Sequence, residues 1–373
     1  MRVCHLGKYY PPAPGGIETH LQTLVRAQKE LGLQPQVLCM NHAETPADLT
    51  IDSGVPVQRF DAKATLFGLN YCPKLTQAIK NADVDLFHLH VPNPVMLLHL
   101  YLARPKTPLI ITYHSDIIRQ RIRAALFRPI EHAVYRRVSK ILVTSPEYAA
   151  GSTFLKAYAK QIEVLPMGLD LQPYLNASEE HRHAAAELRK KYAEPIWLTS
   201  GRLIYYKGLS TAIRAFKKVP GTLILVGSGS EEDSLRAEVA AQDLGSRVVF
   251  AGYRPSHLDI IPYYLAAQAM WFPSNARSEA FGLVQIEAMA CGTPVINTAI
   301  PHSGVTWVCQ HEKSGLTVPI NDPDALAAAS MRLLNEPGLR ERLGAAGRAR
   351  TIAEFDHRVM AQRSAEIYAR SLA

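Results

Sequence analysis

Cysteine is scarce in this chain. There are five cysteines among 373 residues, an odd number, and no two stand in the CxxC spacing of a metal or redox motif. This scarcity argues against a disulfide-stapled secreted fold and against a cysteine zinc site. We therefore expect free and mostly buried thiols in a reducing cytosol. They are Cys4, Cys39, Cys72, Cys291 and Cys309.

Long apolar runs are also missing, whereas a membrane-spanning helix needs roughly 20 apolar residues. The best candidate, Pro94–Ala103, is too short and includes His99. The first residues, MRVCHLGKYYPP, show no apolar segment followed by a small-residue cleavage site, so we expect no secretory signal. The sequence predicts a cytoplasmic protein, with a peripheral contact at the inner face of the cytoplasmic membrane as an open alternative.

The positive charge is concentrated in one part of the chain. The formal net charge is +8, and the first 172 residues hold 19 Lys/Arg against 13 Asp/Glu, which gives +6. Between Arg119 and Lys140 there are seven basic residues and only one acidic residue. Without interleaved aromatic residues, the run favours an anionic membrane or a lipid-linked acceptor over nucleic acid, with Arg119, Arg121 and Arg123 facing it. A solvated helix surface explains the same pattern.

The length of the chain predicts two domains, because 373 residues exceed one typical hydrophobic core. Apolar strand-like runs alternate with helical periodicity, which favours parallel sheets covered by helices on both faces. The predicted fold class is α/β, with two Rossmann-like domains facing across a cleft. We place the N-terminal domain at 1–170, the C-terminal domain at 171–356, and a last helix at 357–373 that packs back on the N-terminal domain. A helix over 117–138 is expected to be interrupted at Pro129.

Two cations follow the strand predicted at 196–200. In SGRLIYYKG, Arg202 and Lys207 lie in a short loop between Gly201 and Gly208. A guanidinium fork and an ammonium group are both suited to binding a diphosphate. If the diphosphate is a leaving group, the same cations stabilise the charge that develops on it. The alternative is a pair of surface cations in a loop.

A second candidate site lies in SEAFGLVQIEAMACG, where Glu279 and Glu287 stand eight positions apart. The predicted helix begins near Gly282, so the backbone N–H groups of Phe281, Gly282 and Leu283 point at an anion. Glu279 can accept hydrogen bonds from sugar hydroxyls, and Glu287 can accept them from the two hydroxyls of a ribose. The structural alternative is a salt-bridged Glu287 and a first-turn Glu279, since a buried carboxylate needs a partner.

Two features of the N-terminal half follow predicted strands. Gly15 and Gly16 open a helix whose backbone N–H groups can approach a phosphate, although turn geometry alone also explains them. His114, in TYHSD, is placed to hydrogen-bond a sugar hydroxyl or to relay a proton. Asp116 is either part of this site or only the N-cap of the next helix.

A dinucleotide fingerprint is suggested by LVGSGSEE but is incomplete. Glu232 replaces the third glycine, and acidic residues at a helix start repel a pyrophosphate. We interpret Ser230-x-x-Asp233 as a capping box and expect no NAD. Gly227 remains a candidate for lining the cleft.

Metal binding is also not expected. Asp83-Val-Asp85 lies between a helix end and a buried strand, which favours structural punctuation over a metal-binding DxD motif. His88 and His90 alternate along that strand with no third ligand close in sequence. The sequence therefore predicts neither a metal nor another cofactor.

Together these motifs resemble those of retaining glycosyltransferase family 4, over essentially the whole chain. The resemblance implies the GT-B architecture of two facing Rossmann-like domains, acceptor-side first and nucleotide-sugar-binding second. Ala280 stands where the family often has glycine, but the glutamate spacing is intact. The resemblance is carried by the Gly15-Gly16 loop, His114, Gly201-Arg-Leu-x-x-x-Lys207-Gly208, Gly227-Ser-Gly229 and Glu279-x7-Glu287.

The resemblance also implies a role for each matching residue. The cations hold the donor diphosphate, Glu279 and the first helical N–H groups bind sugar and phosphate, and Glu287 binds the ribose. His114 contacts the transferred sugar, and Tyr253 with Arg254 lies near the base. The residues expected to be catalytic are His114, Arg202, Lys207 and Glu279. Those expected to bind the donor are Gly15, Gly16, Gly201, Gly227, Tyr253, Arg254, Phe281, Gly282, Leu283 and Glu287.

The activity implied is metal-independent transfer of a hexose, with retention, from a nucleotide-diphosphate sugar to a lipid-linked or polysaccharide acceptor. No carboxylate pair is placed for double displacement, so same-face attack is favoured. YHSDIIRQ and SEAFGLVQIEAM are similar to mannosyl- and rhamnosyl-type members, which favours GDP-mannose and bacterial surface-polysaccharide assembly such as lipopolysaccharide. The alternatives are a nucleotide-sugar epimerase on the same architecture and a non-catalytic sugar-nucleotide-binding protein.

Overall fold

Two parallel sheets organise the chain, one in each of two units. The computed structural model describes residues 1–13, 15–42, 48–66, 69–115 and 121–373. The first unit comprises Met1–Leu169 and His357–Ala373, and the second comprises Asp170–Asp356. The sequence placed the division after residue 170. The observed α/β architecture with two doubly wound sheets matches the predicted fold class.

The first unit is built on an eight-stranded sheet and a separate two-stranded hairpin. Its strands are β1 (Arg2–Leu6), β2 (Gln34–Met40), β3 (Leu49–Asp52), β4 (Val55–Phe60), β5 (Ala64–Leu66), β6 (Leu69–Tyr71), β7 (Leu86–Val91), β8 (Leu109–Tyr113), β9 (Val138–Val143) and β10 (Ile162–Val164). Its first helices are α1 (Gly16–Glu30), α2 (Pro73–Asn81), α3 (Pro94–Ala103), α4 (Arg121–Tyr135) and α5 (Pro146–Gly151).

The strand order of the large sheet is β10-β9-β8-β7-β1-β2-β4-β3, and only the β3–β4 pair is antiparallel. Strands β7 and β8 are buried along their whole length. Such burial on both faces explains why both strands are rich in apolar residues. The order reverses between β1 and β7, where His5 pairs in register with His88.

The second unit is built on a six-stranded, wholly parallel sheet. Its strands are β11 (Ile196–Ser200), β12 (Thr222–Val226), β13 (Val248–Gly252), β14 (Ala269–Phe272), β15 (Val295–Thr298) and β16 (Gly315–Val318). Its helices are α6 (Gln172–Leu175), α7 (Glu179–Lys191), α8 (Leu209–Phe216), α9 (Glu232–Ala241), α10 (Ile261–Ala266), α11 (Leu283–Ala290), α12 (Val305–Val308), α13 (Pro323–Asn335) and α14 (Leu339–Glu354).

The strand order of this sheet is β13-β12-β11-β14-β15-β16, so it reverses between β11 and β14. The fully buried rings of Trp197 and Trp271 stack across these two strands, with centroids 5.3 Å apart. Burying such large aromatic side chains is a main source of stability in a core. The switch point therefore lies over a well-packed part of the core.

The last helix, α15 (His357–Leu372), belongs to the first unit. The Gln28 side chain on α1 donates to Ser364 Oγ at 2.8 Å and to Tyr368 Oη at 3.0 Å. Within the described ranges, none of the helices is long and apolar enough to cross a membrane.

Two local predictions are wrong. Helix α4 continues through Pro129, because a proline removes only one backbone hydrogen bond and the neighbouring turns can hold the helix. Helix α9 begins at Glu232, and its N-cap Glu231 makes no side-chain capping bond. The expected capping box is absent because Ser230 lies one residue before this N-cap, and Glu231 N donates to the carbonyl of Leu203, at 2.9 Å. This bond ties the helix start to the loop after β11.

Candidate functional site

The loops that leave β11 and β14 meet where the strand order of the second unit reverses. In open parallel sheets this is where ligands bind. The loop that contains Gly201 and Lys207 ends at Gly208, whose φ is 63°. A Cβ on Gly208 would lie 2.1 Å from the carbonyl oxygen of Pro273. Only glycine therefore allows the two loops to approach this closely.

Lys207 and Glu279 form an ion pair across these loops. The distance from Nζ to Oε2 is 2.5 Å, and the side chains are 13% and 11% exposed. Ser274 Oγ donates to the same Oε2 at 3.3 Å, and Oε1 receives no hydrogen bond from the described residues. Sequence reasoning singled out both charged residues but missed Ser274, since a lone serine in a loop carries no pattern.

Arg202 lies at the mouth of the same site. It is exposed, and its Nη2 donates to the hydroxyl of Tyr206 at 3.3 Å. Gly201, Arg202, Lys207 and Ser274 line one small pocket. The structure thus brings both predicted cations to one place, with Lys207 held by a carboxylate and Arg202 open to solvent.

The turn before α11 depends on a glycine at one position. Gly282 has φ 82°, and a Cβ there would lie 2.8 Å from Cζ of Phe272. Ala280, which departs from the family pattern, is not among the residues with positive φ. The backbone at Ala280 therefore tolerates the extra methyl group, and the turn does not need a glycine there.

The loop between Glu279 and α11 is fixed from the side. Ser303 Oγ donates to the carbonyl of Glu279, and Gly304 N donates to the carbonyl of Ala280 at 2.9 Å. Phe281 is buried, whereas Leu283 is half-buried. These bonds hold the predicted backbone donors at the start of α11 in one conformation.

Glu287 is buried on α11, and its partner is a phenol rather than a cation. Tyr264 Oη donates to Glu287 Oε2 at 2.8 Å and lies 2.9 Å from Ser200 Oγ. Burial raises the pKa of Glu287, against the opposing effect of the Tyr264 hydrogen bond. Burial and the nearby Glu287 carboxyl raise the pKa of Tyr264 well above its ordinary value. The tyrosine on α10 is a further residue that sequence reasoning missed.

Three other predicted donor residues lie nearby in the sheet order. A Cβ on Gly227 would lie 1.9 Å from the carbonyl oxygen of Gly201, so this glycine lets the loops after β11 and β12 pack together. Tyr253 is 66% exposed after β13. Arg254 donates to the hydroxyl of Tyr263 on α10. Ligand contacts of Gly227, Tyr253 and Arg254 stay predictions.

The glycines of the first unit lie at the start of α1, and both are exposed. The Glu18 carboxylate occupies the space beside Gly15: a Cβ on Gly15 would lie 2.0 Å from Glu18 Oε2. Burial raises the pKa of Glu18. A phosphate at Gly15 or Gly16 would be repelled by this carboxylate, so its binding would require the Glu18 side chain to move away or to be protonated.

The basic run falls partly outside the described residues. Asp116 and Arg119 lie outside the described residues, and nothing is described of the side chains of Arg121 and Arg123. Further along, Arg128 pairs with Glu131 at 3.2 Å and Lys140 with Glu163 at 3.6 Å. Part of the run is therefore neutralised locally.

His114 belongs to a cluster of buried histidines near the switch point of the first unit. Its members are His5, His20, His88, His90 and His114. Two groups, His5 with His88 and His90, and His20 with His90 and His114, each bring three ring nitrogens within 4.8 Å. In sequence, His88 and His90 have no third ligand nearby, whereas in the fold the additional imidazoles come from β1, α1 and the end of β8.

Comparison with known proteins agrees with this geometry. Residues 14–173 match the family described as Glycosyltransferase Family 4, and residues 181–350 match Glycosyl transferases group 1. The chain is 32% identical over 366 residues to O-antigen chain mannosyltransferase C of Escherichia coli, with 96% of each covered. It is also 32% identical to D-rhamnosyltransferase WbpZ of Pseudomonas aeruginosa, over 94% of this chain and 91% of that protein.

Solved structures share the fold. Anabaena HepE in complex with UDP superimposes with a TM-score of 0.80 at 21% identity, covering 99% of this chain and 100% of that one. Sucrose-phosphate synthase from Thermosynechococcus elongatus gives a TM-score of 0.79 at 27% identity, covering 99% and 98%. The predicted family and fold class are confirmed: the chain belongs to glycosyltransferase family 4 and is a glycosyltransferase of the GT-B fold.

Proposed function

We propose that this glycosyltransferase moves a mannosyl or rhamnosyl residue to a lipid-linked or polysaccharide acceptor, with GDP-mannose as the favoured donor. The contact between Lys207 and Glu279 carries the proposal, because it sets a cation for a diphosphate beside a carboxylate for sugar hydroxyls. The sugar follows from the two relatives at 32% identity, whose names specify mannose and D-rhamnose.

The donor binds along the carboxyl edge of the second unit's sheet. Arg202 and Lys207 hold the diphosphate, and the N-terminus of α11 at Leu283 meets the adjacent phosphate. Oε2 of Glu279 stays paired with Lys207, and Oε1 accepts a hydrogen bond from a hydroxyl of the sugar. Glu287 accepts a hydrogen bond from the ribose while Tyr264 holds its other side.

Transfer proceeds on one face of the sugar and retains the configuration of its anomeric carbon. The bond from that carbon to the phosphate oxygen breaks, and the acceptor oxygen forms a bond on the same face. The departing phosphate takes the acceptor's proton. Arg202 and Lys207 stabilise the negative charge that develops on the diphosphate. Because these two cations supply positive charge at the leaving group, we propose that no divalent metal is needed.

The location follows from charge. We propose a cytoplasmic enzyme that contacts the anionic inner leaflet through Arg119, Arg121 and Arg123. The excess of +6 in the first 172 residues supports this contact. It would bring the enzyme to a lipid-linked acceptor.

The test is a panel of GDP-, UDP- and dTDP-sugars, each incubated with and without a lipid-linked oligosaccharide, with products identified by mass spectrometry. Acceptor-dependent transfer from GDP-mannose, unchanged by EDTA and with a retained anomer by NMR, supports the proposal. Isomerisation of the donor without acceptor would point to an epimerase. Tight nucleotide-sugar binding without turnover would point to a binding protein.

A further inference from the structure

Four of the buried histidines take part in hydrogen bonds that run between strands, and three of them form a chain that ends at His114. We propose that this chain, which begins on α15, holds the His114 ring in the tautomer protonated on Nε2, so that Nδ1 accepts a hydrogen bond from a hydroxyl of the sugar substrate. The substrate part rests on the proposed function, whereas the tautomer rests on the contacts alone.

The chain begins with a serine hydroxyl. Ser364 Oγ donates its single proton to the carbonyl of Ala361 at 2.7 Å. Its oxygen can therefore only accept, and the group of Gln28 that lies 2.8 Å away must be the amide NH2. This orients the Gln28 amide and turns its carbonyl oxygen toward β1. The bonds of Tyr368 are consistent with this orientation of the Gln28 amide. The Tyr368 oxygen accepts from Gln28, and its proton goes to Nδ1 of His88, at 2.6 Å.

The orientation of Gln28 determines the tautomer of His5. Gln28 Oε1 lies 2.8 Å from His5 Nε2, so this nitrogen must carry a proton and donate it. A neutral imidazole has one proton, which leaves Nδ1 of His5 as an acceptor. That nitrogen lies 3.2 Å from His90 Nε2, so His90 donates from Nε2.

The tautomer of His90 in turn determines that of His114. With its proton on Nε2, His90 has a bare Nδ1, which lies 3.2 Å from His114 Nε2. His114 therefore donates from Nε2, and its own Nδ1 has a free lone pair. This Nδ1 is buried and has no hydrogen-bond partner within the part of the chain that the structure describes.

Neutral rings are required at each step, and burial provides them. Desolvation lowers the pKa of His5 to about 4 and the pKa values of His90 and His114 well below the ordinary value. Among the residues that the structure describes, the ring nitrogens bond to other imidazoles and to an amide, and to no carboxylate. Each ring therefore carries one proton at neutral pH.

The chemistry of the ligand follows from this tautomer. A bare imidazole nitrogen needs a partner with a proton to donate, which a sugar hydroxyl has and an ionised phosphate oxygen lacks. His114 is therefore suited to the sugar rather than to the diphosphate. His90, His5 and Gln28 are positioning residues, since they act through the His114 ring.

The chain offers a matched pair of variants on β7. His90 and His88 are both buried histidines of the same strand, but His88 bonds Thr112 Oγ1, at 2.7 Å, instead of His114. His90→Phe removes the acceptor for His114, and His88→Phe does not. His90→Asn restores an acceptor, because the amide oxygen lies close to the position of Nδ1.

The test uses the full chain labelled with 15N-histidine, without substrate and in the presence of a metal chelator. The His114 signals are assigned by their loss in His114→Gln. We expect a protonated Nε2 and a bare Nδ1 in the wild type, in His88→Phe and in His90→Asn. In His90→Phe we expect the two tautomers to mix.

Protonation of His114 on Nδ1 or on both nitrogens, or a His90→Phe spectrum equal to the wild type, would overturn the proposal. So would loss of the Nε2 proton when one equivalent of Zn²⁺ is added to a sample without chelator, which would instead assign His20, His90 and His114 to a metal. Because no substrate is present, the tautomer is tested even if the proposed transfer fails. For turnover, we expect kcat to fall about tenfold in His90→Phe, which corresponds to the loss of roughly one hydrogen bond. In His88→Phe we expect kcat to stay within about twofold of the wild type.

Discussion

Lys207 and Glu279 are 72 positions apart in sequence, yet their side chains meet with Nζ 2.5 Å from Oε2. The two residues lie in the loops that follow β11 and β14, the neighbouring strands at which the sheet order of the second unit reverses. The pair is nearly shielded from water, where charge interactions are stronger than at an exposed surface. It makes the position of the ammonium group dependent on the carboxylate.

Removing either charge of this pair should abolish most of the transfer. We expect Lys207→Ala and Glu279→Ala to lower kcat/KM by roughly 10²- to 10³-fold, as for other groups that stabilise developing charge. The measurement is initial-rate kinetics with saturating acceptor, alongside circular dichroism to check the fold. Lys218→Ala is the control, because Lys218 pairs with Asp324 at an exposed position of the same unit. Full activity in Lys207→Ala would refute the assigned role.

Gly282 should be intolerant of any side chain. We expect Gly282→Ala to lower the free energy of unfolding by about 1–3 kcal/mol, because φ 82° strains an alanine and its Cβ would meet the Phe272 ring. Urea unfolding measures the change. Ala280→Gly, two residues away and without positive φ, is the control and should cost at most about 1 kcal/mol. Equal stability of Gly282→Ala and the wild type would contradict the local geometry.

The buried carboxyl of Glu287 should make stability depend on pH. Its pKa is raised above the ordinary value of 4.5, so the folded protein binds this proton more tightly than the unfolded chain does. Stability is therefore lost as pH rises from the ordinary pKa to the raised one. Glu287→Gln has no such proton, so its stability relative to the wild type should increase over this window and then level off. Unfolding of both proteins in urea from about pH 4 to about pH 8 tests this sign. A difference that does not change with pH would contradict it.

The basic segment should determine membrane binding. We expect replacement of Arg119, Arg121 and Arg123 by Gln to weaken binding to vesicles containing anionic lipid, by about 1 kcal/mol per residue at low salt. Sedimentation with vesicles, repeated at rising salt, measures the affinity. The control replaces three basic residues of α7, namely Arg182, Lys190 and Lys191. Unchanged binding of the first variant would favour a solvated helix surface.

Much of the architecture was predictable because it depends on local patterns. Strands such as Leu109–Tyr113, Ile196–Ser200 and Ala269–Phe272 have the bounds that apolar runs indicate. The β3–β4 hairpin was missed, although Ser53-Gly54 between its strands is a turn signal with positive φ at both residues. A short strand with exposed residues has little hydrophobic pattern, so the turn was the better guide.

The functional residues divide in the same way. Glu279 and Glu287 were predicted because both lie in one short motif at the start of a helix. The Ser230 capping box was wrong because the N-cap of its helix is Glu231, one residue later. Tyr264 and His20 were missed, since each is a single polar residue within an ordinary helix. Nothing in the local pattern distinguishes such a residue from one that faces solvent.

The sequence by itself determined most of the strands and helices, the two-domain α/β class, the family and the residue types at strand ends. Those properties depend on local periodicity and on motifs a few residues long. Tertiary structure alone decided that Lys207 meets Glu279 and that five histidines from β1, α1, β7 and the end of β8 share one buried cluster. The physical reason is that strand order is set by packing of the whole sheet, so residues distant in sequence become neighbours only once that order exists.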